Sequence, residues 1–194
     1  MEFTCAILAG GRSKRMGRDK ATLRVSNKAL IQQVYDKAKP VFRDVLIVSN
    51  HHEGFYGIDA PIVKDLIPVR SSMVGIVSAL MAARNPYVFV LACDMPFVSK
   101  DAIEYLLGQV HGEDIIVPRT KYGYEPLHAI YNRSCIPFML TNIERRRLKV
   151  RDLFPYLSVN EVENESIFFH KGVSVFTNIN VQEDLSLVRR LSTG

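Results

Sequence analysis

The apolar run Ala6-Ile7-Leu8-Ala9 leads straight into Gly10-Gly11, and Arg12, Lys14, Arg15 and Lys20 follow within the next nine positions. Glycines reach φ > 0 and put no Cβ in the way, so backbone N–H groups there can close around phosphate oxygens. The four cations supply the charge that a polyphosphate needs neutralised. A basic turn after an edge strand is the plainer account, but strand, glycines and cations coincide. The spacing excludes two common phosphate loops. Arg18 and Asp19 separate Gly17 from Lys20, where a Walker A loop needs Gly-Lys-Ser/Thr, and Gly-x-Gly-x-x-Gly does not occur.

A second chemical group closes the run Val88-Phe89-Val90-Leu91-Ala92-Cys93-Asp94-Met95-Pro96. Asp94 stands at the mouth of a buried strand that Pro96 prevents from continuing. A carboxylate beside a phosphate loop is unfavourable unless a cation lies between them, and Mg²⁺ suits that place, taking one or two carboxylates plus substrate phosphates. Helix capping is the competing role for Asp94, and Ser99 is better placed for it. Asp65, after Ile62-Val63-Lys64, reads from spacing alone as a turn residue. His51-His52 has no partner at ligand spacing apart from Glu53 and reads as a surface loop. Arg145-Arg146-Arg147-Leu148-Lys149-Val150-Arg151 reads as a solvated helix end, with steering of anions as its functional alternative.

The elements that must position these groups alternate between strand and helix. Phe3 to Ala9, Val45 to Ser49 and Tyr87 to Cys93 read as buried strands. Helical spacing covers Asn27 to Lys39, Met73 to Arg84 and a Ser99-capped helix to Leu107. Asp114 to Pro118 and Leu127 to Tyr131 read as strands joined through Lys121-Tyr122-Gly123-Tyr124. Helices are expected over Ser134 to Glu144 and Gln182 to Leu191. The pattern predicts an α/β, Rossmann-like three-layer sandwich with a mainly parallel sheet. Its 194 residues are expected to form one domain, with nucleotide binding over about 1–110 and an acceptor side over about 111–194. Ligands on open α/β sheets bind at the carboxyl ends of strands, so Gly10-Gly11, Asn50 and Asp94 are expected on one edge.

Composition narrows the function classes. Hydrophobic residues make up 47% and charged residues 23% of the chain, an ordinary globular balance. No apolar run reaches the ~20 residues of a membrane helix, and no secretory signal is visible. Cys5, Cys93 and Cys135 fit neither a disulfide framework nor a zinc ribbon, so a reduced cytoplasm is the expected compartment. The net charge of +5 favours anionic partners, but Trp is absent and no basic-aromatic motif points to nucleic acid.

Leu8-Ala9-Gly10-Gly11-x-Ser13-x-Arg15-Met16-Gly17-x-Asp19-Lys20 resembles the signature loop of small-molecule nucleotidyltransferases. The nearest resemblance is to molybdenum cofactor guanylyltransferases, which couple GTP to molybdopterin. It implies a nucleotidyltransferase fold in which Leu8, Ala9, Gly10, Gly11, Lys20, Asn50, Asp65 and Asp94 bind the nucleotide. It further implies that Asp94 holds Mg²⁺, that Lys20, Arg15 and Asp94 are catalytic, and that Asp65 meets guanine or ribose. Tyr124-Glu125-Pro126-Leu127 resembles the family's Pro-Leu strand. Phe176-Thr177-Asn178-Ile179-Asn180-Val181 resembles its acceptor segment, which assigns Asn178 and Asn180 to the acceptor. Enzymes that deliver or receive the cofactor are the implied partners. In place of the family's Gly-Pro-Leu-x-Gly the chain has Ser71-Ser72-Met73-Val74-Gly75. That difference keeps open a nucleotidyltransferase using CTP or another phosphorylated acceptor. A non-catalytic nucleotide-binding module is the alternative from another class.

Overall fold

The computed structural model describes residues 1–10, 24–25, 28–51, 55–164, 166–170 and 172–179. The chain opens with strand β1 (Phe3–Leu8), a short hairpin of β2 (Arg24–Val25) and β3 (Lys28–Ala29), and helix α1 (Leu30–Ala38). Strands β4 (Asp44–Val48) and β5 (Ile62–Val63), helix α2 (Ser72–Ala82), strand β6 (Tyr87–Ala92) and helix α3 (Lys100–Leu107) follow. Next come β7 (Ile115–Thr120), β8 (Gly123–Tyr124), β9 (His128–Asn132) and α4 (Ile136–Glu144). The described chain ends with β10 (Val159–Val162) and a hairpin of β11 (Phe169–His170) and β12 (Val173–Ser174).

The main sheet runs β10-β7-β9-β6-β1-β4-β5, with β8 paired to β7. β1 is parallel to β4 and β6, β4 to β5, and β7 to β10, whereas β9 runs antiparallel between β6 and β7. Side chains alternate across a strand, so each central strand feeds two cores. Cys5, Ile7, Ile47, Phe89 and Leu91 join Ile31, Val34 and Ala38 of α1 and Ala102, Ile103 and Leu106 of α3. Ala6, Leu8, Leu46, Val48, Val88 and Val90 join Met73, Val74, Ile76, Val77 and Leu80 of α2 and Met139 and Ile143 of α4. With both faces covered, β6 is buried at every position, the reason its sequence is unbroken apolar. The three-layer α/β expectation is met.

Local signals account for most boundaries. Ser71 caps α2, its Oγ accepting from Val74 N at 3.2 Å, and Ser99 caps α3, accepting from Ala102 N at 3.2 Å. The first helix begins at Leu30, because Lys28 and Ala29 are held in the β2–β3 hairpin. Strand β10 carried no clear apolar pattern. It is pinned at its start by Asp114, whose carboxylate accepts from Ser158 N and Ser158 Oγ, both at 2.9 Å, and from Ser134 Oγ. The expected helix over Gln182 to Leu191 lies outside the described residues.

His128 is fully buried within a cage of Phe89, Phe168 and Phe176, with ring centroids 5.2, 6.4 and 5.2 Å away. Neither ring nitrogen has a hydrogen-bond partner among the described residues. Burial pushes the imidazole down to about 3, so the folded protein holds it neutral. In the unfolded chain it takes a proton near its ordinary 6.5. Stability is therefore full above pH 6.5 and is lost as pH falls from there toward 3. This one group should remove about 2 kcal/mol between pH 6.5 and 5. Denaturant titrations of the wild type and His128→Leu at pH 7 and 5 should show that loss in the wild type and its absence in the variant.

Candidate active site at the carboxyl edge of the sheet

Leu8, Val48, Val63 and Ala92 form one register row across β1, β4, β5 and β6. Gly10, Asn50, Asp65 and Asp94 each stand two residues beyond a member of that row. The ladder continues for one more residue, with Ala9 N donating to Val48 O at 2.8 Å, Ser49 N to Val63 O at 2.8 Å and Cys93 N to Leu8 O at 3.1 Å. It then releases Gly10, Asn50 and Asp94 together. Strands lie about 4.8 Å apart, so the edge presents Asp65, Asn50, Gly10 and Asp94 as successive stations.

Gly10 is exposed, and a Cβ built there would meet no atom of the described residues within 4 Å. It does not use the left-handed conformation expected from the sequence, since the positive-φ glycines among the described residues are Gly57, Gly112, Gly123 and Gly172. Among the described residues neither packing nor backbone conformation demands glycine there, and the open space suits close approach of a ligand. Gly75 differs: its Cβ would lie 3.2 Å from Leu8 Cδ1, so this glycine lets α2 pack against the end of β1.

Asn50 and Asp65 hold each other. Asn50 Nδ2 donates to Asp65 Oδ2 at 2.8 Å, and Asp65 N donates to Asn50 Oδ1 at 3.0 Å. Partial burial raises the Asp65 carboxyl above its usual range, and the Asn50 bond offsets part of that rise. Asp65 is thus more than a turn residue.

Asp94 is partly buried where β6 ends. Its carbonyl accepts from Ile179 N at 2.9 Å, which fastens the segment carrying Asn178 to this edge. Lys37 Nζ of α1 donates to Pro96 O and holds the turn from the other side. No group of three or more His, Cys, Asp or Glu side chains converges among the described residues. A single carboxylate at the carboxyl edge of a sheet is compatible with a Mg²⁺ that takes its remaining ligands from substrate phosphates and water, and Asp94 would be the residue to hold it.

The sequence singles out no role for Glu125 itself, although its segment resembles the family's Pro-Leu strand. Glu125 follows β8 in the turn that separates that strand from β9: Glu125 N donates to Pro118 O at 3.0 Å, His128 N to Glu125 O at 3.0 Å, and Ala92 N to Leu127 O at 3.1 Å. Its partly buried carboxyl is pushed up to about 7 by burial. The signal available in the sequence was an acidic residue before proline at a strand end.

Leu8, Ala9, Gly10, Asn50, Asp65, Asp94 and Asn178 thus share the edge that the sequence predicted. Gly11, Arg15, Lys20 and Asn180 lie outside the described residues, as do His52 and Glu53. His51 is exposed, its N–H donating to Ser49 Oγ at 3.1 Å. Arg145, Arg146 and Arg147 are exposed beyond α4. Two clefts among the described residues lie elsewhere: one of about 210 Å³ beneath the opposite edge, lined by Thr4, Arg43, Asp44 and Arg84, and one of about 330 Å³ outside α4.

A mainly parallel sheet with glycine, amide and carboxylate stations at its carboxyl edge is the arrangement of an α/β nucleotidyltransferase. Residues 5–162 match the MobA-like NTP transferase domain, and the chain belongs to that family. It is 36% identical over 190 residues to a probable molybdenum cofactor guanylyltransferase of Pelotomaculum thermopropionicum, covering 97% of this chain and 93% of the relative. It is 34% identical over 185 residues to the molybdenum cofactor guanylyltransferase of Desulfosudis oleivorans, covering 94% and 92%. The crystal structure of molybdopterin-guanine dinucleotide biosynthesis protein A from Archaeoglobus fulgidus superposes with a TM-score of 0.83 at 28% identity, covering 98% of both chains. The 2-C-methyl-D-erythritol 4-phosphate cytidylyltransferase of Thermus thermophilus shares the fold, with a TM-score of 0.74 at 18% identity over the whole of both chains.

Gly10→Ala should change the Tm of the unliganded protein little while weakening GTP in calorimetric titration, because the added methyl enters space that no described residue fills. Asn50→Ala should cost about 1 kcal/mol and lower Tm by a few degrees, because it strips a hydrogen bond from a partly buried carboxylate.

Proposed function

We propose that this protein transfers GMP from GTP to the phosphate of molybdopterin, releasing pyrophosphate and giving molybdopterin guanine dinucleotide. The observation that carries the reading is the alignment of Gly10, Asn50, Asp65 and Asp94 on one edge, in a chain whose full-length relatives are named molybdenum cofactor guanylyltransferases. Asp65 reads the base. Its carboxylate only accepts hydrogen bonds, which suits the N1–H and N2–H₂ donors of guanine better than cytosine, with its ring acceptor beside a single amino donor. This favours GTP over CTP, even though Ser71 and Ser72 replace the family's Gly-Pro and Ser71 serves as the cap of α2.

The acceptor needs no general base. A phosphate monoester has its second pKa near about 6 and is mostly dianionic at neutral pH. The barrier is bringing that dianion to a polyphosphate, and charge and position lower it. Backbone N–H groups at Gly10 and Gly11, just past the last laddered residue, would cradle the phosphates, and Arg15 and Lys20 would take charge on the departing pyrophosphate. Asn178 and Asn180 hold the acceptor, with Asn178 fastened to the edge through Ile179. Mg²⁺, held by Asp94 and phosphate oxygens, would supply charge withdrawal from the reacting phosphate. No described helix is long and apolar enough to cross a membrane, and cytoplasmic work beside enzymes that deliver or receive the cofactor fits the reading.

Product formation from GTP and molybdopterin tests it. Wild-type protein should form the guanine dinucleotide and pyrophosphate with GTP in preference to CTP. Asp94→Ala should lose turnover by on the order of 10²-fold or more with its fold retained. Full activity of that variant overturns the metal assignment, and a CTP preference overturns the base assignment.

A further inference from the structure

Two partly buried carboxyls bracket the site edge. Asp65 follows β5 at one end, and Glu125 stands on the β8–β9 turn at the other, beyond β6 and Asp94. The order β5-β4-β1-β6-β9 puts four inter-strand steps between them, roughly 20 Å at strand spacing, with Gly10 and Asp94 in between. Asp65 has Asn50 as its partner, whereas the Glu125 carboxylate takes no hydrogen bond or ion pair among the described residues. A partly buried acceptor without a donor costs free energy, and a site residue left so is completed when its ligand arrives. The turn bearing it is tied down on three sides: to β7 through Pro118, to β6 through Ala92, and through the Tyr131 hydroxyl, which donates to Pro126 O at 2.7 Å.

The chemistry of the reaction supplies the missing donors. Guanine and pterin carry the same 2-amino-4-oxopyrimidine edge, a ring N–H beside an exocyclic amino group. A carboxylate offers two acceptors in the matching geometry. The product therefore presents one such edge at each end with its two phosphates between, and the protein presents a carboxyl at each end of an edge whose centre is Gly10 and Asp94. We propose that Glu125 is the acceptor-recognising residue, taking the ring N–H and amino group of the pterin as Asp65 takes those of guanine. This role rests on molybdopterin being the acceptor.

Glu125→Ala should raise the KM for molybdopterin by about tenfold to a hundredfold, with kcat changed much less and the Kd for GTP unchanged, because the residue binds a group remote from the reacting phosphate. Binding of plain pterin and of lumazine, which has an oxo group in place of the 2-amino group, gives a readout that a merely structural role would not move. The wild type should prefer pterin. Glu125→Gln, with one donor and one acceptor, should shift that preference toward lumazine. A wild type that forms product, together with a Glu125→Ala variant that keeps both its acceptor KM and its pterin preference, overturns the role of Glu125 alone. Absence of GMP transfer to molybdopterin by the wild type overturns the acceptor reading and this role with it.

Discussion

Strand β1 pairs in register with a parallel neighbour on each side, with β6 from Phe3 to Leu8 and with β4 from Thr4 to Leu8, and every functional station depends on that lock. A slip of one residue would turn Ile7 and Leu8 to the wrong faces of the sheet, exchanging two fully formed cores. Burial on both faces therefore fixes the register far more strongly than any interaction at the edge does. Gly10, Asn50 and Asp94 inherit their common height from it, because each follows the last laddered residue of its strand.

Electrostatics at the edge follow from the same architecture. The carboxyls of Asp65 and Glu125 are both raised by burial, yet neither is sealed in as His128 is. Partial desolvation makes a carboxylate a stronger partner for a ligand's N–H donors than it would be in open solvent. Asn50 keeps Asp65 oriented, while the Glu125 turn is held through backbone bonds to both neighbouring strands. On the far side, the contact of Ile179 with Asp94 and the packing of Phe176 on His128 couple the acceptor segment to β6 and β9. The segment carrying Asn178 and the strand ends carrying Gly10 and Asp94 are therefore tied to one sheet.

Much of this was legible from residue types. Unbroken apolar runs gave β1 and β6, helical spacing gave α2, the Ser99 cap gave the start of α3, and glycines and Asp94 at strand ends gave the edge. Strand β10 was not legible, because its Val159-Asn160-Glu161-Val162 pattern lacks an apolar run and its pairing is fixed by Asp114, more than forty residues away in sequence. Spacing alone leaves Asp65 a turn residue, and its place comes from the β4–β5 register and the bond to Asn50, fifteen positions distant; Glu125 gains its place through a turn that faces the end of β6. Spacing along a chain carries no record of such long-range pairing. Of the two properties that glycine offers at position 10, the left-handed backbone is not used, and the missing side chain is the one that matters.

Amide NMR during a GTP titration tests the common edge most directly. The largest shifts should fall on Ala9, Gly10, Asn50, Asp65 and Asp94, and CTP at the same concentration should produce weaker ones. Shifts concentrated instead on Thr4, Arg43, Asp44 and Arg84, in the cleft at the opposite edge of the sheet, would contradict the assignment of the nucleotide site.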